Sequence, residues 1–168
     1  KKFEEDGETW KAEVERIDKG CVNGEAIWAA PDFNDAAWKS MKVPGLMQEQ
    51  DLPGFSGLVW FRKTIDIPAG WAGKDLILNL GVIDDNDFTY FNGIQIGHTE
   101  GWMAPRSYKI PKELVKKGKA VIAVRVMDTG GTGGINGSPE SISLHLSNTE
   151  AIQLAGNWKY QVSLDMRE

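Results

Sequence analysis

Asp84, Asp85 and Asp87 fall within one short stretch, Ile83-Asp84-Asp85-Asn86-Asp87-Phe88. Carboxylates this close repel one another unless they are solvated, hydrogen-bonded, or neutralised by a cation or an arginine. If the stretch runs as a strand, side-chain alternation puts Asp85 and Asp87 on one face and Asp84 and Asn86 on the other. Downstream, Asn92-Gly93 separates two apolar runs and marks a tight hairpin, because a type I′ turn needs positive φ at both central residues. The acidic run then lies at the open end of that hairpin, beside the loop His98-Thr99-Glu100-Gly101-Trp102-Met103-Ala104-Pro105-Arg106. One edge of the molecule is thus expected to gather Asp84, Asp85, Asp87, His98, Trp102 and Arg106. A flat aromatic beside carboxylates and a guanidinium is the mix a sugar site uses: apolar contact for the ring face and polar groups for the hydroxyls.

The same residues admit two other readings. Arg106 can pair with the aspartates to hold the loop, with Trp102 packed over it. Alternatively, Asp85 and Asp87 can contribute oxygen ligands to a structural Ca²⁺. Catalysis by the aspartates as a glycosidase pair is the poorest fit. Such carboxylates flank the scissile bond at separations of about 5 to 9.5 Å, and adjacent residues of one strand are a poor way to do so.

Other catalytic chemistry is missing. There are two histidines, His98 and His145, and no His-Glu-x-x-His pattern. His145 lies between Leu144 and Leu146, so alternation turns it away from the core. Gly130-Gly131-Thr132-Gly133-Gly134 lacks the Gly-Lys-Ser/Thr of a phosphate loop and any following helix, and Asn136 stands where a dinucleotide fingerprint needs its third glycine. No serine occupies a Gly-x-Ser-x-Gly elbow; Ser56 lacks the strand-to-helix context. Asn136-Gly137-Ser138 matches a glycosylation sequon, but Pro139 follows it. No residue is assigned a catalytic role and no cofactor motif is present; structural Ca²⁺ is the one metal the residues admit.

The elements that position the edge read as strands. In Leu58–Ile67, Val59, Phe61, Ile65 and Ile67 alternate with Trp60, Arg62, Thr64 and Asp66, and Pro68 ends the run. Leu76, Leu78 and Leu80 alternate, as do Ile142, Leu144 and Leu146, and Trp158, Tyr160 and Val162. Ala120–Met127 is apolar except for Arg125 and rich in β-branched residues, as a strand covered on both faces would be. Trp28, Trp38, Trp60 and Trp71 are expected mainly in packing roles, since tryptophan is largely buried on average. Only the first twenty residues suggest a helix, with Trp10, Val14, Ile17 and Cys21 at helical spacing before Gly20 and Asn23-Gly24. The pattern predicts an all-β, antiparallel jelly-roll sandwich with a short N-terminal helix. Residues 1–24 read as a helical linker, 25–148 as the sandwich and 149–168 as a strand or linker toward a following domain.

Composition narrows the partners. With 168 residues and 41% hydrophobic content, the chain suits one globular core. A net charge of −5 argues against nucleic acid and anionic membrane surfaces. The one short basic run, Lys116-Lys117-Gly118-Lys119, reads as a solvated turn before a strand. No apolar run approaches the roughly 18 residues of a membrane span. The single cysteine, Cys21, excludes an internal disulfide framework. The start at Lys1-Lys2 without methionine suggests an excised domain or processed fragment.

A longer pattern also runs along the chain. It includes Pro31-Asp32-Phe33-Asn34-Asp35-Ala36-Ala37-Trp38, Val43-Pro44-Gly45, Gly57-Leu58-Val59-Trp60-Phe61-Arg62-Lys63, Leu80-Gly81-Val82-Ile83-Asp84-Asp85 and Tyr90-Phe91-Asn92-Gly93. It continues through Ile96-Gly97, Tyr108-Lys109-Ile110-Pro111, Leu114, Gly118, Ile122-Ala123-Val124-Arg125-Val126 and Asp128. Over roughly residues 25–146 this resembles the galactose-binding-like jelly-roll domain inserted in bacterial sialate O-acetylesterases. The Asn-Gly to Ala-Val-Arg-Val part is similar, more loosely, to the sugar-binding N-terminal domains of family 2 glycosidases. Gly-Val-Ile-Asp-Asp-x-Asp and Asp-Thr-Gly-Gly-x-Gly-Gly fit the esterase insertion better. The resemblance implies a periplasmic or secreted parent enzyme with an SGNH hydrolase domain. That domain's Gly-Gln-Ser-Asn and Asp-x-x-His motifs are not found here, so no catalytic residue carries over. The partner it implies is an acetylated glycan or the parent hydrolase domain, and the helix at the start and Leu154-Ala155-Gly156-Asn157-Trp158 at the end look like connections to that parent. A purely structural sandwich with no ligand site is the competing expectation.

Overall fold

The computed structural model describes residues 17–167. Its strands are β1 (Lys39–Val43), β2 (Gly57–Ile67), β3 (Leu76–Asp84), β4 (Asn86–Phe91), β5 (Ile94–Glu100) and β6 (Pro105–Ile110), then β7 (Gly118–Asp128), β8 (Gly134–Asn136), β9 (Ile142–His145), β10 (Ala151–Gln153) and β11 (Gly156–Asp165). They form a jelly-roll sandwich of two antiparallel sheets, one ordered β1-β11-β2-β7-β4-β5 and the other β10-β9-β3-β6, with β8 on the end of β3. Helical structure among the described residues is confined to short 3₁₀ turns, apart from the helical Ile17 at their start. The expected N-terminal helix otherwise lies outside the described residues, and Cys21 is already past it.

The alternating patterns explain the core. Val59, Phe61, Ile65 and Ile67 of β2 and Ile122, Val124 and Val126 of β7 turn inward. They meet Leu76, Leu78 and Leu80 of β3, Ile110 of β6, and Ile142 and Leu144 of β9 in one buried cluster. The hairpin is as expected: Asn92 (φ 48°) and Gly93 (φ 84°) carry the positive φ of the turn between β4 and β5. Asn92 also ties the turn to β7, its Oδ1 accepting the Val121 N–H at 2.8 Å. Gly97 on β5 is required by packing, because a Cβ there would fall inside the Tyr108 ring.

A second layer covers the outer face of the larger sheet. Trp60, Ala123, Phe88 and Tyr90 form a separate buried cluster with Cys21, Ala29 and Trp38, supplied by the chain before β1. That segment is anchored at both ends by buried charges. Near its start, Asp18 accepts Trp60 Nε1–H at 3.1 Å, Arg125 Nη1–H at 3.1 Å and the Gly20 N–H at 2.8 Å. Further along, Arg62 donates to the carbonyls of Trp28 (2.6 Å), Ala30 (3.0 Å) and Phe33 (3.2 Å) and to Asp35 (2.9 Å). This is why β7 is buried on both faces: its inward residues pack in the main core, while Ala123 and Arg125 lie beneath the covering segment.

The tryptophan expectation holds for Trp38, Trp60 and Trp71, which are buried, and Trp28 is half-buried in contact with Trp38 and Trp60. The C-terminal stretch is more integrated than a linker. β11 lies inside the larger sheet between β1 and β2, and buried Trp158 donates its indole N–H to the Leu154 carbonyl at 2.8 Å. No helix of the described residues is long and apolar enough to cross a membrane.

Candidate functional site

The strand registers bring the sequence-predicted stretches to one end of the sandwich. Asn86, first in β4, faces both Glu100 at the end of β5 and Met127 near the end of β7. Asp84 at the end of β3 faces Gly134, and Val82 faces Pro105 at the start of β6. The acidic run, the β5–β6 loop and the glycine-rich segment therefore meet, as the hairpin argument anticipated for the first two.

The acidic run itself is not one strand. β3 belongs to one sheet and β4 to the other, so the chain crosses between sheets at Asp85, and the Asp84–Asp85 peptide is cis. The expected shared face for Asp85 and Asp87 is thereby corrected. Asp87 is wholly buried: its Oδ1 accepts Arg106 Nε–H at 2.8 Å, its Oδ2 accepts the Thr89 hydroxyl at 2.7 Å, and the Tyr108 phenol reaches both oxygens at 3.0 and 2.9 Å. Asp85 turns instead to Thr129, accepting its N–H at 2.9 Å and its hydroxyl at 2.8 Å. The two carboxylates thus serve different partners. Among the described residues no group of His, Cys, Asp and Glu side chains is placed to hold a metal ion.

Arg106 is a clamp and not a ligand contact. Its side chain is fully buried. Besides Asp87, it donates to the carbonyls of Gly101 (2.6 Å), Ala104 (2.6 Å), Asp85 (3.0 Å) and Thr99 (3.1 Å). All five guanidinium N–H groups are matched, and one side chain fixes the sheet crossover and both sides of the β5–β6 loop. Burial raises the Tyr108 phenol well above its usual range; the hydrogen bond with Thr99 opposes this and the Asp87 charge adds to it. Tyr108 stays a neutral donor.

Trp102 does not pack over this clamp. It is 59% exposed, and Met103 beside it is 69% exposed. His98 is drawn away from the group. It pairs across the hairpin with Phe88, on the covered outer face of the larger sheet, and stacks on that ring at 4.2 Å with 8° between the planes. Asp87 pairs with Thr99 and points to the opposite face. Four predicted residues, Asp84, Asp85, Trp102 and Arg106, share the loop end, with Asp87 buried beneath them and His98 apart.

Sequence reasoning passed over Gln48, Asp128 and the role of the glycine-rich segment. Gln48 donates to Asp128 Oδ2 at 2.6 Å and to the Phe55 carbonyl at 3.1 Å, while its Oε1 accepts the Gly133 N–H at 2.8 Å. Gly45 and Met47 add backbone bonds to the carbonyls of Ile135 and Gly133. The segment is thus strapped down as a wall of the loop end. The signal available in sequence was Asp128 followed by glycines, an Asx-type turn, seen here as Gly130 N–H donating to Asp128 Oδ1 at 3.0 Å.

The electrostatics follow from three aspartates converging. Partial burial, then the Asp85 carboxylate and the Asp128 charge, push the Asp84 carboxyl up to about 7. Burial also works to raise Asp85, but hydrogen bonds from the Asp84 carboxyl and from Thr129 outweigh it and hold Asp85 below the ordinary carboxylate range. Burial raises Asp128, against the hydrogen bonds from Gly130 and Gln48. Asp84 and Asp85 therefore behave as one acid pair sharing a proton around neutral pH. They can offer a ligand both a hydrogen-bond donor and acceptors. Side by side, they cannot flank a glycosidic bond as acid and nucleophile.

No family model matches the chain. Solved structures do. The Bacteroides uniformis beta-glucuronidase 2 superposes with a TM-score of 0.56 at 21% identity, over 79% of this chain and 15% of that one. A beta-glucuronidase from glycoside hydrolase family 2 gives 0.54 at 23% identity over 61% of this chain and 12% of its own. The Faecalibacterium prausnitzii beta-glucuronidase gives 0.51 at 21% identity over 59% and 18%. At these identities the likeness is one of fold, and this chain spans less than a fifth of each of those proteins. These three neighbours are beta-glucuronidases, and none of them is an esterase.

Proposed function

We propose that this chain is a non-catalytic, carbohydrate-binding accessory domain of a family 2-like glycosidase, and that it engages glycan at its loop end. The observation that carries this is the contrast between Arg106 and Trp102. A fully buried guanidinium with five matched bonds holds a loop whose tip presents a largely exposed indole. Pre-ordering an aromatic platform reduces the entropy lost on binding, and the Asp84–Asp85 pair with Thr129 supplies polar groups on the same end. The likeness in fold to the beta-glucuronidases favours this parent over an esterase. On the same reading the protein works where it meets extracellular glycans, in the periplasm or outside the cell.

Calorimetric titration with neutral, uronate-terminated and sialate-terminated oligosaccharides tests the claim. At least one series should bind, and Trp102→Ala should weaken it roughly tenfold, on the order of one aromatic anchor. Absence of binding heat with every glycan would sink the reading.

A sialate O-acetylesterase parent is the second reading. It is favoured by one observation: the two stretches that suggest it, 81–87 and 128–134, are joined by the Asp85–Thr129 bonds and the β3–β8 ladder into one unit. Sequencing the flanking gene separates the two, since the esterase reading requires Gly-Gln-Ser-Asn and Asp-x-x-His motifs there.

A further inference from the structure

Away from the loop end, the covering segment and the β4–β5 turn enclose an open groove of about 880 Å³. Its aromatic surface comes from Phe33 and Tyr90, and its polar groups include Glu25, Asp32, Asn34 and Gln95. It lies beside Asn92 and Gly93, at the opposite end of β4 from Asn86. Five strand steps of about 3.3 Å put it roughly 17 Å from the loop end.

Both walls are fixed. The Arg62 bonds to Trp28, Ala30, Phe33 and Asp35 pin one side. On the other, Asn92 locks the hairpin turn to β7, and Gly93 lies beside Ala30 and Pro31, where an added Cβ would make ordinary contact at 3.5 Å. Tyr90 forms a buried floor, stacked on Trp60 at 5.6 Å. Phe33 has the Arg62 guanidinium over its ring at 5.3 Å and remains half-buried, so its uncovered part is offered to the groove. The size falls in the range of small-molecule sites, and the width is set before any ligand arrives.

The lining also selects by charge. Among the described residues its lining holds two carboxylates, Glu25 and Asp32, and no lysine, arginine or histidine. An anionic ligand would meet repulsion from these two carboxylates, whereas a neutral polyhydroxylated ring meets aromatic surface and carboxylate or amide partners. We propose that this groove is a second binding site, specific for neutral saccharides and closed to uronates and sialates. The proposal stands apart from the loop-end reading and does not depend on it.

Amide-resolved NMR on the full chain, titrated with maltose and cellobiose as neutral probes and with glucuronate and sialate as anionic ones, tests it. A neutral disaccharide should saturably shift residues 32–34 and 92–95, at least tenfold more tightly than either anion. The effect should survive Trp102→Ala and fall at least fivefold in Gln95→Ala, an exposed position whose change leaves the fold intact. Phe33→Ala should reduce binding further. No saturable shift in those segments, equal binding of glucuronate, or insensitivity to Gln95→Ala would overturn the proposal. Shifts confined to residues 101–104 would overturn it while leaving the loop-end reading in place.

Discussion

Replacing Arg106 by methionine isolates the clamp. Methionine keeps an unbranched apolar stem and removes all five donors. The carbonyls of Gly101 and Ala104 lie in an exposed to half-buried loop where water can replace the lost bonds. Asp87 has no such recourse: it is wholly buried and would keep only the Tyr108 and Thr89 hydroxyls. Breaking a buried ion pair by removing one partner costs about 3–5 kcal/mol. At roughly 2–4 °C per kcal/mol for a chain of this size, the midpoint should fall by on the order of 10 °C. Thermal and urea unfolding of the full chain at pH 7 measure this. The mechanism adds a second requirement. If the cost is mainly a stranded charge, Arg106→Met combined with Asp87→Asn must be more stable than Arg106→Met alone, because a neutral amide can still bond Tyr108 and Thr89. A single variant within about 1 kcal/mol of wild type, or a double variant as unstable as the sum of the two singles, would refute the reasoning.

Other outcomes follow from the same geometry. Asp84 has a folded value near 7 against 3.8 unfolded, so the folded state binds its proton more tightly and stability declines as pH rises from about 4 to 7. Discounted for partial exposure, the decline is roughly 1–2 kcal/mol, and Asp84→Asn should flatten it in urea melts taken across that window. Gly97→Ala drives a methyl into the Tyr108 ring; overpacking of this kind should destabilise by about 1–3 kcal/mol, read by the same melts. Gln48→Ala removes the strap between Asp128 and Gly133 and should raise hydrogen exchange at 129–135 while leaving the β2–β7 ladder protected.

The strands, the hairpin and the loop end were legible because each rests on local rules. Period-two alternation marks β2 and β3, Asn92-Gly93 demands positive φ, and the hairpin alone places the acidic run opposite its turn. What sequence missed depends on contacts distant along the chain. Alternation through Asp84–Asp87 presumes a continuous strand, and nothing local says that the chain leaves one sheet for the other at Asp85. Trp60 and Arg62 read as an outward face, and so they are. That the segment before β1 returns to cover them is fixed by Asp18 and Asp35, 42 and 27 residues away from their partners Trp60 and Arg62. His98 was assigned by loop proximity, yet its register partner Phe88 sets its face. β11 looked like an exit because its neighbours, β1 and β2, lie more than ninety residues earlier in the chain.

The central claim is that the clamped loop end is where glycan binds. It is tested most directly by following the Trp102 indole and the amides of 84–85, 101–104 and 129–132 by NMR as an oligosaccharide panel is titrated. The account predicts saturable shifts at those positions, weakened roughly tenfold in Trp102→Ala. Unmoved resonances there with every glycan of the panel would contradict it.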